Sequence, residues 1–210
     1  MRWMTLCKLG VFVALLVLLQ GAKCPNVPEL KDIEITVVEA EYIEFEFQAR
    51  GGINAHSAVE TIDIDELRQD LEEMDLDVSQ IDTILVSSIL YGVTAYNEAV
   101  NDREIVNGAL TVTRLDTDAS AVIFDDVNAV VYPLLGALVP PPIEPDGVDF
   151  LNELFADVLA ALKGSGPSEF EVQAEVSGNS APAGRDTNFD WRARIYYQVS
   201  APLETETIEF

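Results

Sequence analysis

The stretch Glu169-Phe170-Glu171-Val172-Gln173-Ala174-Glu175-Val176 alternates without a break between polar and apolar side chains. Successive side chains of a strand point to opposite faces, so this period of two sets Phe170, Val172, Ala174 and Val176 against a core and leaves the acids and amide to water. That is the pattern of an antiparallel sheet covered on one side. It recurs in Trp191, Ala193, Ile195, Tyr197 and Val199, in Ile43, Phe45, Phe47 and Ala49 with Glu44, Glu46 and Gln48 between them, and in Ile33, Ile35 and Val37.

One loop, 178–188, separates the strands at 168–177 and 190–201, and this predicts an antiparallel hairpin. Its inner pairs are Phe170 with Tyr197, Val172 with Ile195, Ala174 with Ala193 and Val176 with Trp191. The register sets Arg192 opposite Glu175 and Arg194 opposite Gln173. The stretch 84–94 is apolar on both faces, through Ile84, Val86 and Leu90 on one and Leu85, Ile89, Tyr91 and Val93 on the other. It reads as a central strand covered on both sides.

Two segments carry the helical period instead. Ile64, Leu67, Leu71 and Met74 recur at spacings of three and four, with Asp63 and Glu66 as a capping box. Leu151, Leu154, Phe155, Val158, Leu159 and Leu162 form one stripe, with Asp149 at its start and Gly164 past its end. Pro140-Pro141-Pro142 is a stiff spacer ahead of it. Residues 51–54, 97–103 and 178–188 carry the turn formers. The fold class expected is mainly β with helices (α+β), an antiparallel β-sandwich of immunoglobulin-like kind with two or more amphipathic helices packed on it. Residues 32–210 form a single domain in this reading, with a helical insertion at about 126–163.

The N-terminus supplies an address. Arg2 and Lys8 precede an apolar run from Leu9 to Leu19, a helix of only about 16 Å against a hydrocarbon core of roughly 30 Å. A basic start, a short apolar centre and small residues at Gly21 and Ala22 mark an export signal over 1–23. The segment Leu19-Gln20-Gly21-Ala22-Lys23-Cys24, followed by Pro25, resembles the processing region of bacterial lipoproteins, with Lys23 and Gly21 departing from the usual residues. The resemblance implies that Cys24 becomes the lipidated first residue, that 24–31 is a tether and that the membrane is reached through lipid. Pro25 in place of Asp resembles the pattern of lipoproteins sent to the outer membrane. Ordinary secretory cleavage after Ala22 is the alternative. It would leave Cys24 as a lone thiol in a periplasmic or extracellular protein.

Charge excludes one class of partner. Of 12 basic residues, Arg2, Lys8 and Lys23 leave with the signal, so 9 remain against 37 acidic ones, a net of −28. Phosphate binding runs on Lys and Arg displacing counterions, so nucleic acid is not a partner, and anionic lipid head groups are repelled as well. A saline habitat and an ordinary acidic extracellular protein both fit that balance.

Side chains that could carry chemistry are few. His56 is the single histidine, beside a glycine-rich turn, and reads as a solvated loop residue. No Gly-x-Ser-x-Gly elbow accompanies it, and no catalytic residue is assigned. Clustered acids in loops suit calcium, with Asp75, Asp77, Asp116 and Asp118 as the candidate ligands, although no segment has the full calcium-loop pattern and solvated acidic turns compete. No other cofactor is implied. The apolar region 127–162 lines a pocket or packs a core; an amphipathic helix closing a sandwich would look the same. These features point to an exported, lipid-anchored, acidic cell-envelope protein with a non-enzymatic binding or structural role toward an envelope protein or glycan. The competing readings are a calcium-dependent glycan or protein binding module, a carrier of an apolar ligand and, last, a carboxylate-based hydrolase.

The charge balance makes a prediction. At low ionic strength many like charges lie within one Debye length, so the melting temperature is expected to rise from about 10 mM to about 1 M NaCl. A flat or falling melting point over that range, read by circular dichroism, removes the case for a saline habitat.

Overall fold

A computed structural model describes residues 36–51, 55–74 and 76–202, which belong to one compact unit. The signal at 1–23, the tether at 24–31 with Cys24, and Ile33, Ile35 and Asp75 lie outside the described residues, as do 52–54.

Seven strands and two helices follow in the order β1 (Thr36–Gly51), β2 (Ala55–Asp63), α1 (Ile64–Glu73), β3 (Thr83–Tyr96), β4 (Glu104–Arg114), β5 (Ser120–Val130), α2 (Pro145–Leu162), β6 (Glu169–Ala181) and β7 (Thr187–Pro202). They make two antiparallel sheets, one of three strands in the order β1-β7-β3 and one of four in the order β2-β6-β4-β5. The inner faces of both sheets and the apolar stripe of α2 share one core. The architecture is thus mostly antiparallel β in two sheets with two helices, as an α+β sandwich requires.

The hairpin expected between 168–177 and 190–201 does not form. β6 lies between β2 and β4, whereas β7 lies between β1 and β3 in the other sheet. Phe170, Val172, Ala174 and Val176 are buried as expected, and so are Ala193, Ile195 and Tyr197, but on two different sheets. Alternation specifies which face of a strand is covered and says nothing about which strand lies along its edge. The charge pairs move with the pairing. Arg194 stands opposite Glu44 and Arg192 opposite Glu46, and both arginines reach the Glu44 carboxylate, Arg192 at 3.6 Å.

The stretch 84–94 is a second correction, because β3 is an edge strand and β7 is the central one. A bulge between Val86 and Ser88 shifts the alternation by one residue. Ile84 and Val86 lie against the inner residues Val199 and Tyr197, and beyond the bulge Ile89, Tyr91 and Val93 lie against Ile195, Ala193 and Trp191. One inner face, read across a change of phase, mimics two apolar faces. The bulged backbone is satisfied from α2, where Asn152 Oδ1 accepts from the Val86 N–H at 2.9 Å.

The free edge of β3 is covered by the chain that follows β5. Tyr91 and Val139 exchange backbone hydrogen bonds of 2.9 and 2.8 Å, and the Gly136 N–H donates to the Val93 carbonyl at 2.9 Å. Covering an edge in this way removes a template for aggregation.

α1 begins as read, with Asp63 Oδ1 accepting from the N–H groups of Asp65 and Glu66 at 2.8 and 3.1 Å. α2 starts four residues earlier than Asp149, with Pro145 in its first turn. Proline has no N–H to lose there and its fixed φ suits a helix start. Gly164, at φ +86°, ends the helix as expected. Leu151, Leu154, Phe155, Val158 and Leu162 are buried, and α2 packs against β3 and β5, closing that side of the sandwich.

Gly92 tests the covered edge. A Cβ there would lie 1.9 Å from the Ala137 carbonyl oxygen. Gly92→Ala is expected to destabilise by about 1–3 kcal/mol, since the backbone of 135–139 must move to admit it. Equilibrium urea unfolding measures the loss, and an unchanged midpoint would mean that 137 does not sit on β3.

Candidate functional site

The end of the sandwich where β6 hands over to β7 is built by a set of local irregularities. In β4 the register breaks against both neighbours around Asn107 and Gly108, and Asn107 takes a φ of +50°. Asn128 Oδ1 accepts from the Asn107 N–H at 3.0 Å, and its amide donates to the Asp126 carbonyl at 2.9 Å. Gly178, at φ +145°, lets β6 approach the bulge, because a Cβ there would meet the Gly108 Cα at 3.0 Å. Bulges of this kind bend a strand and turn its side chains to new directions.

The result is a cavity of about 60 Å³ that opens to solvent between the two sheets. Its walls are mainly apolar: Ala49, Phe189 and Trp191 from β1 and β7, Tyr91 from β3, Ile105 from β4, Phe124 and Val127 from β5, and Val176 from β6. Ser177, Asn179, Ser180, Thr187 and His56 add polar groups. Tyr91 is only 7% exposed. Burial raises the Tyr91 phenol above its usual value, so it stays protonated and able to donate. His56 lies in β2 opposite Val176, not in a loop, and lines both the cavity and a neighbouring polar cleft with Glu46, Gln48, Ser57, Thr94 and Asp190.

A buried ion pair holds this end together. Arg103 has no exposed surface, and Nε and Nη2 bond the Glu98 carboxylate at 2.8 to 3.0 Å. The same guanidinium donates to the carbonyls of Pro182, Arg185 and Asp186, at 3.3, 3.2 and 2.8 Å, which make the crossover between the sheets. Glu98 also accepts from Arg185 and from the Asn188 N–H, and Arg185 pairs with Asp102. Burial alone would push the Glu98 carboxyl up. The hydrogen bonds from Arg103 and Asn188 and the two arginine charges outweigh it and hold the carboxyl below the usual range. Ser180 and Thr187, which flank the crossover, both line the cavity.

The calcium candidates are placed as follows. Asp77 sits between α1 and β3 and accepts from the Ser79 N–H at 2.8 Å; hydrogen bonds from Ser79 keep its carboxyl below the usual range. Asp116 and Asp118 share the turn between β4 and β5, and Asp118 has a φ of +57°. The Asp116 carboxylate is gripped by Arg114 at 2.8 and 3.2 Å, which lowers its pKa, and Arg114 also pairs with Asp157 of α2. Among the described residues no group of three or more His, Cys, Asp or Glu is arranged to hold a metal ion. The 127–162 region gives the cavity only Val127, while the α2 stripe packs the core. The cavity escaped the sequence reading because its lining comes from seven strands; Gly108 and Gly178 within strand-like runs were the available signal.

Comparison with known proteins adds no assignment. No family model matches the chain, and no curated protein matches it. Among solved structures, one titled Desmodium yellow mottle tymovirus is similar at 10% identity, over 89% of this chain and 99% of that one, with a TM-score of 0.21. At that score the likeness supports neither a shared fold nor a shared role. Among the described residues no helix is long and apolar enough to cross a membrane.

The ion pair gives a prediction with a pH sign. The depressed Glu98 pKa contributes stability above the unfolded carboxylate value, and this is lost as pH falls through the folded value. Glu98→Gln should remove that acid-sensitive part of the stability. Arg103→Met, which leaves Glu98 without its main partner, should cost about 3–5 kcal/mol at neutral pH. Urea unfolding between pH 3 and 7 reads both; a small neutral-pH loss for Arg103→Met would mean that the pair does not hold the crossover.

Proposed function

We propose that this is an exported, lipid-anchored, acidic protein of the cell envelope whose immunoglobulin-like sandwich serves non-enzymatic binding, with the cavity at the β6–β7 end as the binding site. The observation that carries the reading is a cavity open to solvent and walled by Tyr91, Phe124, Phe189 and Trp191, with polar groups from Ser177, Asn179, Ser180 and Thr187 at its side. Aromatic walls with a few polar groups are the usual lining of a small-molecule site.

Size separates the readings. At about 10–15 Å³ per water, about 60 Å³ has room for roughly four waters, or a group of four or five heavy atoms. Pockets for drug-sized ligands run to about 300–1,000 Å³. A small ligand, or one projecting group of a larger partner, therefore fits better than a lipid chain. The export signal, Cys24 and a charge that repels anionic head groups support anchoring through lipid.

Trp191 makes the binding test direct. The chain has two tryptophans, and Trp3 lies in the signal, so processed protein carries its only indole in the cavity wall. Titration with a panel of small organic molecules should shift Trp191 emission for at least one chemical class, and Tyr91→Phe should weaken that response. A response to none of the panel removes the cavity as the binding site. Cys24→Ser should move the protein from the membrane to the soluble fraction, and a soluble wild type whose N-terminus begins before Cys24 would establish ordinary secretion.

A further inference from the structure

We infer that the cavity takes a small organic cation, an alkylated ammonium group of four or five heavy atoms, held by the aromatic rings of Tyr91, Phe124, Phe189 and Trp191. The inference rests on the binding reading above and names the ligand class. Four aromatic residues line a cavity of about 60 Å³. The face of an aromatic ring carries partial negative charge and attracts a cation, and alkylated ammonium groups, which shed water easily, are the ligands that aromatic enclosures bind best.

The surrounding field has the matching sign. The chain carries 37 acidic and 12 basic residues, and low-dielectric clefts focus such a field. Beside the cavity, the cleft that shares His56 is lined by Glu46 and by Asp190, the latter paired with Arg50. Glu60 of β2 has its pKa raised, by burial first and then by the charges of Glu46 and Glu44. Cations nearby are matched: Arg103 and Arg185 by Glu98 and Asp102, and Arg50 by Asp190. The net charge of the chain as a whole disfavours an anion.

Tyr91 supplies the polar contact. Its hydroxyl can accept from an ammonium N–H or donate to an oxygen on the ligand's tail. The same chain already seats cations on rings, with the Arg194 guanidinium 4.4 Å from the Tyr42 ring centroid and that of Arg114 5.7 Å from the Phe170 centroid.

The test pairs a cation with its neutral isostere on the full chain purified in detergent. Choline and 3,3-dimethyl-1-butanol have the same shape and differ in charge. Calorimetric titration should give choline about tenfold tighter binding, from the ring contacts. The difference should shrink between about 10 mM and about 1 M NaCl, as screening weakens the field. Phe189→Leu keeps an apolar wall but removes a ring, and should weaken choline several-fold more than it weakens the alcohol, with the fold of the variant checked by circular dichroism. Equal binding of the two probes overturns the cation and leaves the cavity standing as an apolar site. Binding of neither overturns the inference, and the wider panel then decides the binding reading. Equal loss of both probes in Phe189→Leu means that shape, not charge, is what the rings recognise.

Discussion

The buried pair between Arg103 and Glu98 is the constraint on which the open end of this sandwich depends. A guanidinium with no exposed surface would be costly alone. Here its donors are spread over one carboxylate and three carbonyls of the chain crossing between the sheets. The crossing cannot shift without stripping those groups of partners. That fixes where β6 ends and β7 begins, and therefore where Ser180 and Thr187 stand around the cavity.

The opposite part of the sandwich is held by apolar packing. α2 fills the gap between the edges of β3 and β5, and its Phe155 ring lies 4.8 Å from that of Tyr197. The bulge in β3 and the Asn152 bond that satisfies it belong together, since a helix docked there both supplies the acceptor and covers the shifted face. The two ends thus differ in character: one is packed to exclusion around α2, the other is kept open by glycines and bulges and pinned by charge. The cavity lies at the second, where a rigid frame surrounds irregular backbone.

Charge acts at two scales. Over the whole molecule, the acidic excess limits which partners can approach. Locally the few arginines are committed: Arg194 and Arg192 to Glu44, Arg114 to Asp116 and Asp157, Arg50 to Asp190. Four of these contacts join different strands or a strand and a helix, so scarce cations are placed where they tie elements together.

Sequence alone determined the strand and helix character of most segments, the faces they bury, the Asp63 cap and the Gly164 stop, because these depend on side-chain periodicity and on local backbone chemistry. Gly178 was read only as the start of a loop, and Gly108 not at all. Strand partnership was beyond it. β6 and β7 each carry one apolar face, and that requirement is met as well by strands in opposite sheets as by strands in a hairpin. The β3 bulge hid a single inner face behind an apparent double one, since a phase change leaves no mark in composition. The cavity likewise exists only in three dimensions: Tyr91, Phe124 and the Phe189–Trp191 pair are far apart in the chain, and only the pairing of strands into two facing sheets brings them to one wall.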